Sequence, residues 1–538
     1  MKTSFYITSF RSRIIKYLLL LLTSAVVLSA CKKDFLEQIP NDRLSGEIYW
    51  KTDNDALLGA NAVYTYLEDG WDIFGLDGVT DIGHTNWILV EQTTLEQGTY
   101  TAMSSGLVSN CWTLAYKGIR ATNDFLLNVD KVTTKNQTLI NRLKAEVRVL
   151  RAHQYIKLAA YYGDVPLVTS DISLDESFNL TRTPVAQVWD FVVKELNEAA
   201  NDLPLVQTDK GRITKGAALS ILARGLLYAG RYQEAATAAK QVMDLKVYSL
   251  YPAYKNLFSY EAENNVEVIL DKQHIVNTYS TNVFYLMAPY SQQSSLNYFV
   301  PTKKMVDAYQ MTNGKDISDQ ASGFDPFNPY KDRDPRLSYS VFLVGDILPD
   351  GSTFNSTPES GTMDAVDVRV STATTTGFTL KKYINAQDFA QPENCGINFI
   401  LLRYAEVLLT YAEAKIEANQ IDQSVLNAIN EVRARPDVNM PPYTTLASQS
   451  SMREIVRRER LVELAFEGLR FIDIRRWRIA ENVIPGQVYG MTYNDKGNLK
   501  TIVIASFEKV FNKNRDYLLP IPQKEIEINR NLIQNPNW

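Results

Sequence analysis

Three histidines and three cysteines in 538 residues leave little material for a histidine-rich metal site or a disulfide scaffold. Long hydrophobic runs are also scarce. Mean hydropathy is −0.20, and the one apolar stretch that stands out, Tyr17 to Leu28, falls short of the roughly 20 residues a membrane-spanning helix needs. A polytopic membrane protein is not expected. Basic charge is not in excess: Lys2, Arg11, Arg13 and Lys16 are four of the 56 basic residues and precede residue 31, while all 61 acidic residues follow it. The remainder is acidic, which disfavours nucleic-acid binding, since phosphates need a basic surface. Catalytic signatures are missing too. There is no G-x-S-x-G, H-E-x-x-H, C-x-x-C or G-x-G-x-x-G. Gly211 to Gly216 has the glycine spacing of a phosphate loop but continues with Ala217-Ala218, so the phosphate-binding lysine and magnesium-binding hydroxyl are absent. No cofactor and no metal are expected.

What is present is an ordinary globular composition, 45% hydrophobic and 22% charged, long enough to bury a large core. The N-terminus is an address. A basic start and a short apolar run end in Leu28-Ser29-Ala30-Cys31, a signal peptide whose small residues before cysteine resemble a bacterial lipobox. Cys31 is the expected lipidation site; a plain secretory signal with a chance cysteine is the alternative. Lipid chains on Cys31 would tether a water-borne body to a membrane. Cys111 and Cys395 read as two free thiols in preference to one disulfide.

The organisation follows as a signal peptide over 1–30, a tether over 31–50, a helical block over 51–246, a loop-rich insertion over 247–398 and a C-terminal block over 399–538, forming one body. Helical periodicity marks Asn54 to Leu67 and stretches near 106–129, 138–162, 184–202, 214–229 and 231–245. Thr183 followed by Pro184 suggests an N-cap with proline at the first helical position. Gly230, Tyr232, Ala235 and Ala239 resemble the turn and second helix of a tetratricopeptide repeat, and a second hairpin is expected at 400–418 and 422–434. The insertion has short strand-like runs at Val266 to Leu270, Leu337 to Val344 and Phe378 to Tyr383. Residues 70–102 read as a second irregular segment.

The run from Arg453 to Trp477, with Arg457, Arg458 and Arg460 interleaved with acids, reads as a structural helix. Glu454–Arg458 and Arg460–Glu463 are its expected intrahelical pairs, and Gly468 its expected end. Arg453 to Trp477 also closely resembles the signature of the SusD/RagB family. So do Leu402 to Leu409, the ending Leu518 to Asn529 with Gln534 to Trp538, the start Cys31 to Glu37 with Pro40, and Leu150-Arg151-Ala152 with Tyr161 to Val168. Arg530 and Asn537 depart from residues common in that family. The resemblance implies a mainly α fold with about four tetratricopeptide-like helix pairs, and long irregular loops and a few short strands carrying the ligand face. It further implies an outer-membrane lipoprotein facing the cell exterior. Such a protein binds a nutrient, an oligosaccharide or polysaccharide foremost, and delivers it without catalysis to a SusC/RagA-type TonB-dependent transporter. A peptide ligand is the alternative within the family, and a lipid-anchored hydrolase the alternative outside it.

A glycan site needs aromatic platforms beside hydrogen-bonding side chains. Trp71 and Trp87 lie in the polar 70–102 segment with Asp81 and Asn86, and Tyr290 and Tyr298 flank a Ser/Gln loop. These six residues are the expected ligand contacts, with Trp87 the first choice, where 70–102 meets the 280–330 loops. His84 reads as a hydrogen-bonded loop residue and His153 as structural.

Overall fold

Helix pairs stack in series. The computed structural model describes residues 49–86, 91–104, 106–366 and 373–538; the signal segment, Cys31 and Trp87 lie outside them. The first pair is Asp53–Tyr64 with Leu107–Asn128, the second Gln137–Tyr162 with Val185–Asp202, the third Lys215–Tyr228 with Tyr232–Asp244 and the fourth Tyr404–Glu417 with Gln423–Arg433. Each pair packs on the next, the third and fourth meeting through Tyr232–Asp244 and Tyr404–Glu417. The protein is mainly helical, and the array has the expected four pairs. It runs from the N-terminal block into the C-terminal one, although about 160 residues of chain separate its last two members.

Local sequence starts these helices. Thr52 and Asp55 form a capping box, and Thr214 and Asp422 cap later helices through their side chains, satisfying amide groups the helix itself cannot. The expected cap at Thr183 is corrected. Pro184 occupies the N-cap position, and the Val185 amide donates to the Asp164 carboxylate at 2.7 Å, so the capping group comes from across the chain. The turns at Gly230 and Asn419 both have positive φ, 73° and 56°.

The insertion is a folded body rather than a set of loops. It has its own core, including Phe284, Met287, Phe299, Tyr309, Leu380 and Phe399, which also takes in Ile73, Phe74 and Ile82 from the N-terminal block. Apart from one long local hairpin, strands are short and pair across long sequence distances. Gly83–Thr85 lies antiparallel to Phe299–Pro301, Val268–Lys272 to Phe399–Arg403, Val341–Phe342 to Thr379–Leu380, and Gly486–Asp495 to Asn498–Lys509. Several expectations change accordingly. Residues 70–102 contain helices at Gly70–Gly78 and Glu91–Glu96. The run from Leu337 begins as the helix Arg336–Ser340, and residues 400–403 are strand. Cys111 and Cys395 are both free.

The arginine-rich helix spans Gln449–Glu463 and ends before Gly468. Its ion pairs run between elements rather than along the helix. Arg458 meets Asp316 at 2.8 Å, and Arg460 meets Asp473 at 2.9 Å and Glu413 at 3.3 Å. Glu463 instead receives Arg336, Arg403 and Arg435 at 2.9, 2.7 and 2.8 Å. The reason is burial. Glu459, Arg460 and Glu463 face the interior, and a desolvated charge requires a partner wherever the packing element supplies one. Arg336 and Lys382 come from the insertion, and Lys382 reaches Glu467 at 2.7 Å, so this network fastens the insertion body to the C-terminal block.

Candidate functional site

The 70–102 segment and the loops after 280 do meet. Strand Gly83–Thr85 pairs with Phe299–Pro301 in the register Gly83↔Pro301 and Thr85↔Phe299, and the Asn86 amide donates to the Tyr298 carbonyl at 2.9 Å. Two more segments join them. Asn86 donates to the Ala373 carbonyl at 2.6 Å and accepts from the Thr375 amide at 2.8 Å. The hairpin Gly486–Lys509 then docks on residues 374–377, with the Met491 amide donating to the Thr376 carbonyl at 2.7 Å. Gly490 permits that approach: a Cβ there would lie 2.2 Å from the Thr376 carbonyl oxygen.

A buried ion cluster braces the junction from below. His84 Nδ1 lies 2.9 Å from Glu96, and Lys509 Nζ lies 2.6 Å from the same carboxylate. Burial alone would push the Glu96 carboxyl up, but Lys509 and His84 outweigh it and hold it down at about 2. His84 thus joins strand, helix and hairpin. His153 is likewise structural, 3.0 Å from Glu68. The Asp77 carboxylate accepts from the amides of Gly468 and Arg470 at 3.1 and 2.9 Å. Burial pushes its pKa up to about 7.

The structure sorts the expected contacts. Trp71 and Tyr298 touch, with ring centroids 4.6 Å apart in an edge-on arrangement. Trp71 is in the first turn of a helix, half-buried against the insertion core, and Tyr298 is a buried member of that core. Residues read as loop build a core of their own, and these rings pack into it. Asp81 is buried and makes two bonds to Arg470, at 3.0 and 2.8 Å. Asn86 is 1% exposed, and its amide is occupied by the staple described above. Tyr290 is half-buried and precedes a loop fixed to the 350–364 segment. There the Ser291 amide donates to Asp364 at 2.9 Å and the Asp350 amide to Gln292 at 3.1 Å. Trp87 follows Asn86 in the chain and lies outside the described residues. Trp71 and Tyr290 are thus half-buried, while Asp81 and Asn86 are occupied in buried hydrogen bonds.

Sequence reading passed over the hairpin, although Asp495-Lys496-Gly497-Asn498 between two β-prone runs is a turn signal; Lys496 and Gly497 have φ of 53° and 92°. It also passed over a cleft beside the helix Asp53–Tyr64. That cleft holds about 470 Å³ and is lined by Leu57, Asn61, Tyr64, Lys210, Asp271 and Tyr279, among others. No group of three or more His, Cys, Asp or Glu side chains among the described residues is arranged to hold a metal ion. None of the described helices is long and apolar enough to cross a membrane.

A stacked helix-pair array carrying a separately cored loop body is the class this fold defines. Sequence and structure comparisons agree on which one. The SusD family profile matches residues 266–538, and that of a SusD-like family described as starch-binding and associating with the outer membrane matches 36–227. SusD-like protein P2 of Formosa agariphila is 25% identical over 97% of this chain and 99% of its own. The solved structure of a SusD-like carbohydrate binding protein from Bacteroides fragilis is similar with a TM-score of 0.84 at 30% identity, covering 90% of this chain and 100% of that one. A laminarin binding SusD-like protein shares the fold, with a TM-score of 0.70 at 22% identity over 91% of this chain and 100% of its own. The chain belongs to the SusD family.

Proposed function

We propose that this protein is a non-catalytic glycan-binding lipoprotein. It is anchored through Cys31 at the outer membrane, faces the cell exterior, and hands an oligosaccharide or polysaccharide to a SusC/RagA-type TonB-dependent transporter. The observation that carries the reading is the junction. Four chain segments are stapled by Asn86 and the Glu96 cluster, half-buried Trp71 packs beside them on Tyr298, and half-buried Tyr290 lies in the loop that leads to Tyr298. A sugar ring offers an apolar C–H face and a hydroxyl rim, which suits half-buried aromatics framed by Ser, Gln and Asp side chains. Family membership supports the same reading, as do relatives named for carbohydrate and laminarin binding.

The test is incubation of the purified protein with a panel of soluble polysaccharides including laminarin and starch, followed by affinity electrophoresis and chromatography of the sugars. Retardation by a glycan with no shortened product is expected. Product formation, or binding to peptides alone, overturns the reading. Copurification with a TonB-dependent barrel from detergent-solubilised membranes tests the partner, and loss of membrane attachment in C31A tests the anchor.

A further inference from the structure

The cleft of about 470 Å³ shares none of Trp71, Asn86, Tyr290 or Tyr298 with the junction. It opens between the helix Asp53–Tyr64, the loop 209–212 and the end of strand Val268–Lys272, and it continues into neighbouring clefts on both sides. Lys210 and Asp271 are shared with one of about 310 Å³, and Lys272 and Tyr279 with another of about 220 Å³. The result is an elongated groove.

Two features make it more than a surface depression. The first is Tyr279, 45% exposed. Its ring is held parallel to the His274 imidazole, 12° between planes at a centroid distance of 5.5 Å. The turn that presents it is fixed twice. Ile275 and Tyr279 exchange backbone hydrogen bonds of 2.9 Å each way, and Asn277 and Asn394 pair reciprocally at 2.8 and 2.6 Å. An aromatic presented so rigidly loses little freedom when something stacks on it. The second feature is Asp271, 4% exposed, which lines the groove and, among the described residues, forms no ion pair. Its carboxylate accepts from the Gln273 amide at 2.7 Å. The register of its strand shifts between Leu270 and Asp271, the kind of irregularity that re-aims a side chain beside a binding site. Burial pushes the Asp271 carboxyl up, in keeping with an acceptor that lacks a counter-ion.

We propose that this groove is a second saccharide-binding site, in which a neutral pyranose stacks on Tyr279 and donates hydroxyl protons to Asp271, with Gln273 and Lys210 at its rim. The ligand class rests on the glycan-binding reading above, and the site's own chemistry selects within it. An anionic ligand is opposed by Asp271 and Asp209, and a cationic one by Lys210, Lys272 and Arg212, whereas a neutral polyol satisfies both signs. The main cleft alone falls in the size range of small-molecule sites, about 300–1,000 Å³, and the groove's two extensions suit a chain of sugars over a single one.

The experiment is to soak crystals of the protein in a concentrated mixture of maltose, cellobiose and laminaribiose, and to titrate each disaccharide calorimetrically into wild type, Y279A, Y279F and D271N. A pyranose ring on Tyr279 with hydroxyls on Asp271 is expected. Y279A should weaken that binding about tenfold, the low end for an aromatic stacking platform, and D271N should weaken it at unchanged melting temperature. Y279F, which keeps the ring, should bind as wild type. Sugar at the Trp71–Tyr290 junction with the groove empty overturns this site and leaves the main reading intact. Sugar in the groove alone supports this site and removes the junction as a place of binding. An empty groove and junction, or Y279A binding as wild type, overturns the proposal outright.

Discussion

The helical array and the insertion body solve the same packing problem by different means. In the array each helix buries one stripe against the next, and the middle helix is enclosed on all sides: residues 216–227 of Lys215–Tyr228 are all buried. Stability there comes from local helices whose neighbours are mostly near in sequence. In the insertion body, strands of two to five residues pair with partners as far apart as Thr85 and Phe299, and single side chains such as Asn86 substitute for missing ladder. The array tolerates change helix by helix. The body depends on a few buried polar residues, and these same residues shape the proposed ligand face. Specificity can therefore vary on one region while the other stays fixed.

The largest expected effect breaks the joint between the two. Glu463 accepts three buried guanidinium groups, and E463A strands them. A loss of about 3–5 kcal/mol is expected, read as a lower urea midpoint with helical and aromatic circular dichroism lost together. An unchanged midpoint would show that the two regions do not share this network. Acid comes next. Because the Glu96 pKa is held at about 2 against an ordinary value of 4.5, its contribution is present above pH 4.5 and is lost as pH falls toward 2. That contribution is on the order of 3 kcal/mol. Melting temperature should fall across that window, and E96Q, already deprived of the charge, should show a shallower fall.

A smaller effect is expected at Asn86. N86A removes both bonds to the 373–375 segment and leaves the Thr375 amide unsatisfied, costing about 1–3 kcal/mol. Limited proteolysis should locate the loosening to the insertion body, with the array still protected; cleavage in the array first would contradict the assigned role. The smallest stability effect belongs to Tyr290. Y290A should change unfolding free energy by no more than about 0.5 kcal/mol while lowering glycan retardation in affinity gels. Normal retardation would remove Tyr290 from the ligand face.

Legibility in the sequence followed the same divide. Period 3.6 located the array helices from Leu107–Asn128 to Tyr232–Asp244 to within about two residues, and Gly230 marked the turn of the clearest pair. The helix Gly70–Gly78 was missed, for it has three glycines and is nearly buried throughout, so it shows no polar face to create a period. The junction was half legible. That residues 70–102 meet the loops after 280 was expected, but which side chains point into core was not. Asp81 looked available beside a tryptophan, and only the fold brings Arg470, 389 positions away, against it. Tyr279 gave no signal, because its role depends on Asn394 and His274 holding its turn.

The sequence by itself determined the class of scaffold and the family, and it alone suggests an address at Cys31. Those rest on local patterns: helical period, turn residues, a short apolar run and motifs that recur in fixed order. The tertiary structure alone decided which charges of the arginine-rich segment pair with which, which polar residues are staples and which aromatics stay open. Those outcomes turn on burial and on partners from distant segments. The cost of leaving a charge or amide unpaired in the interior is fixed only when packing decides what surrounds it.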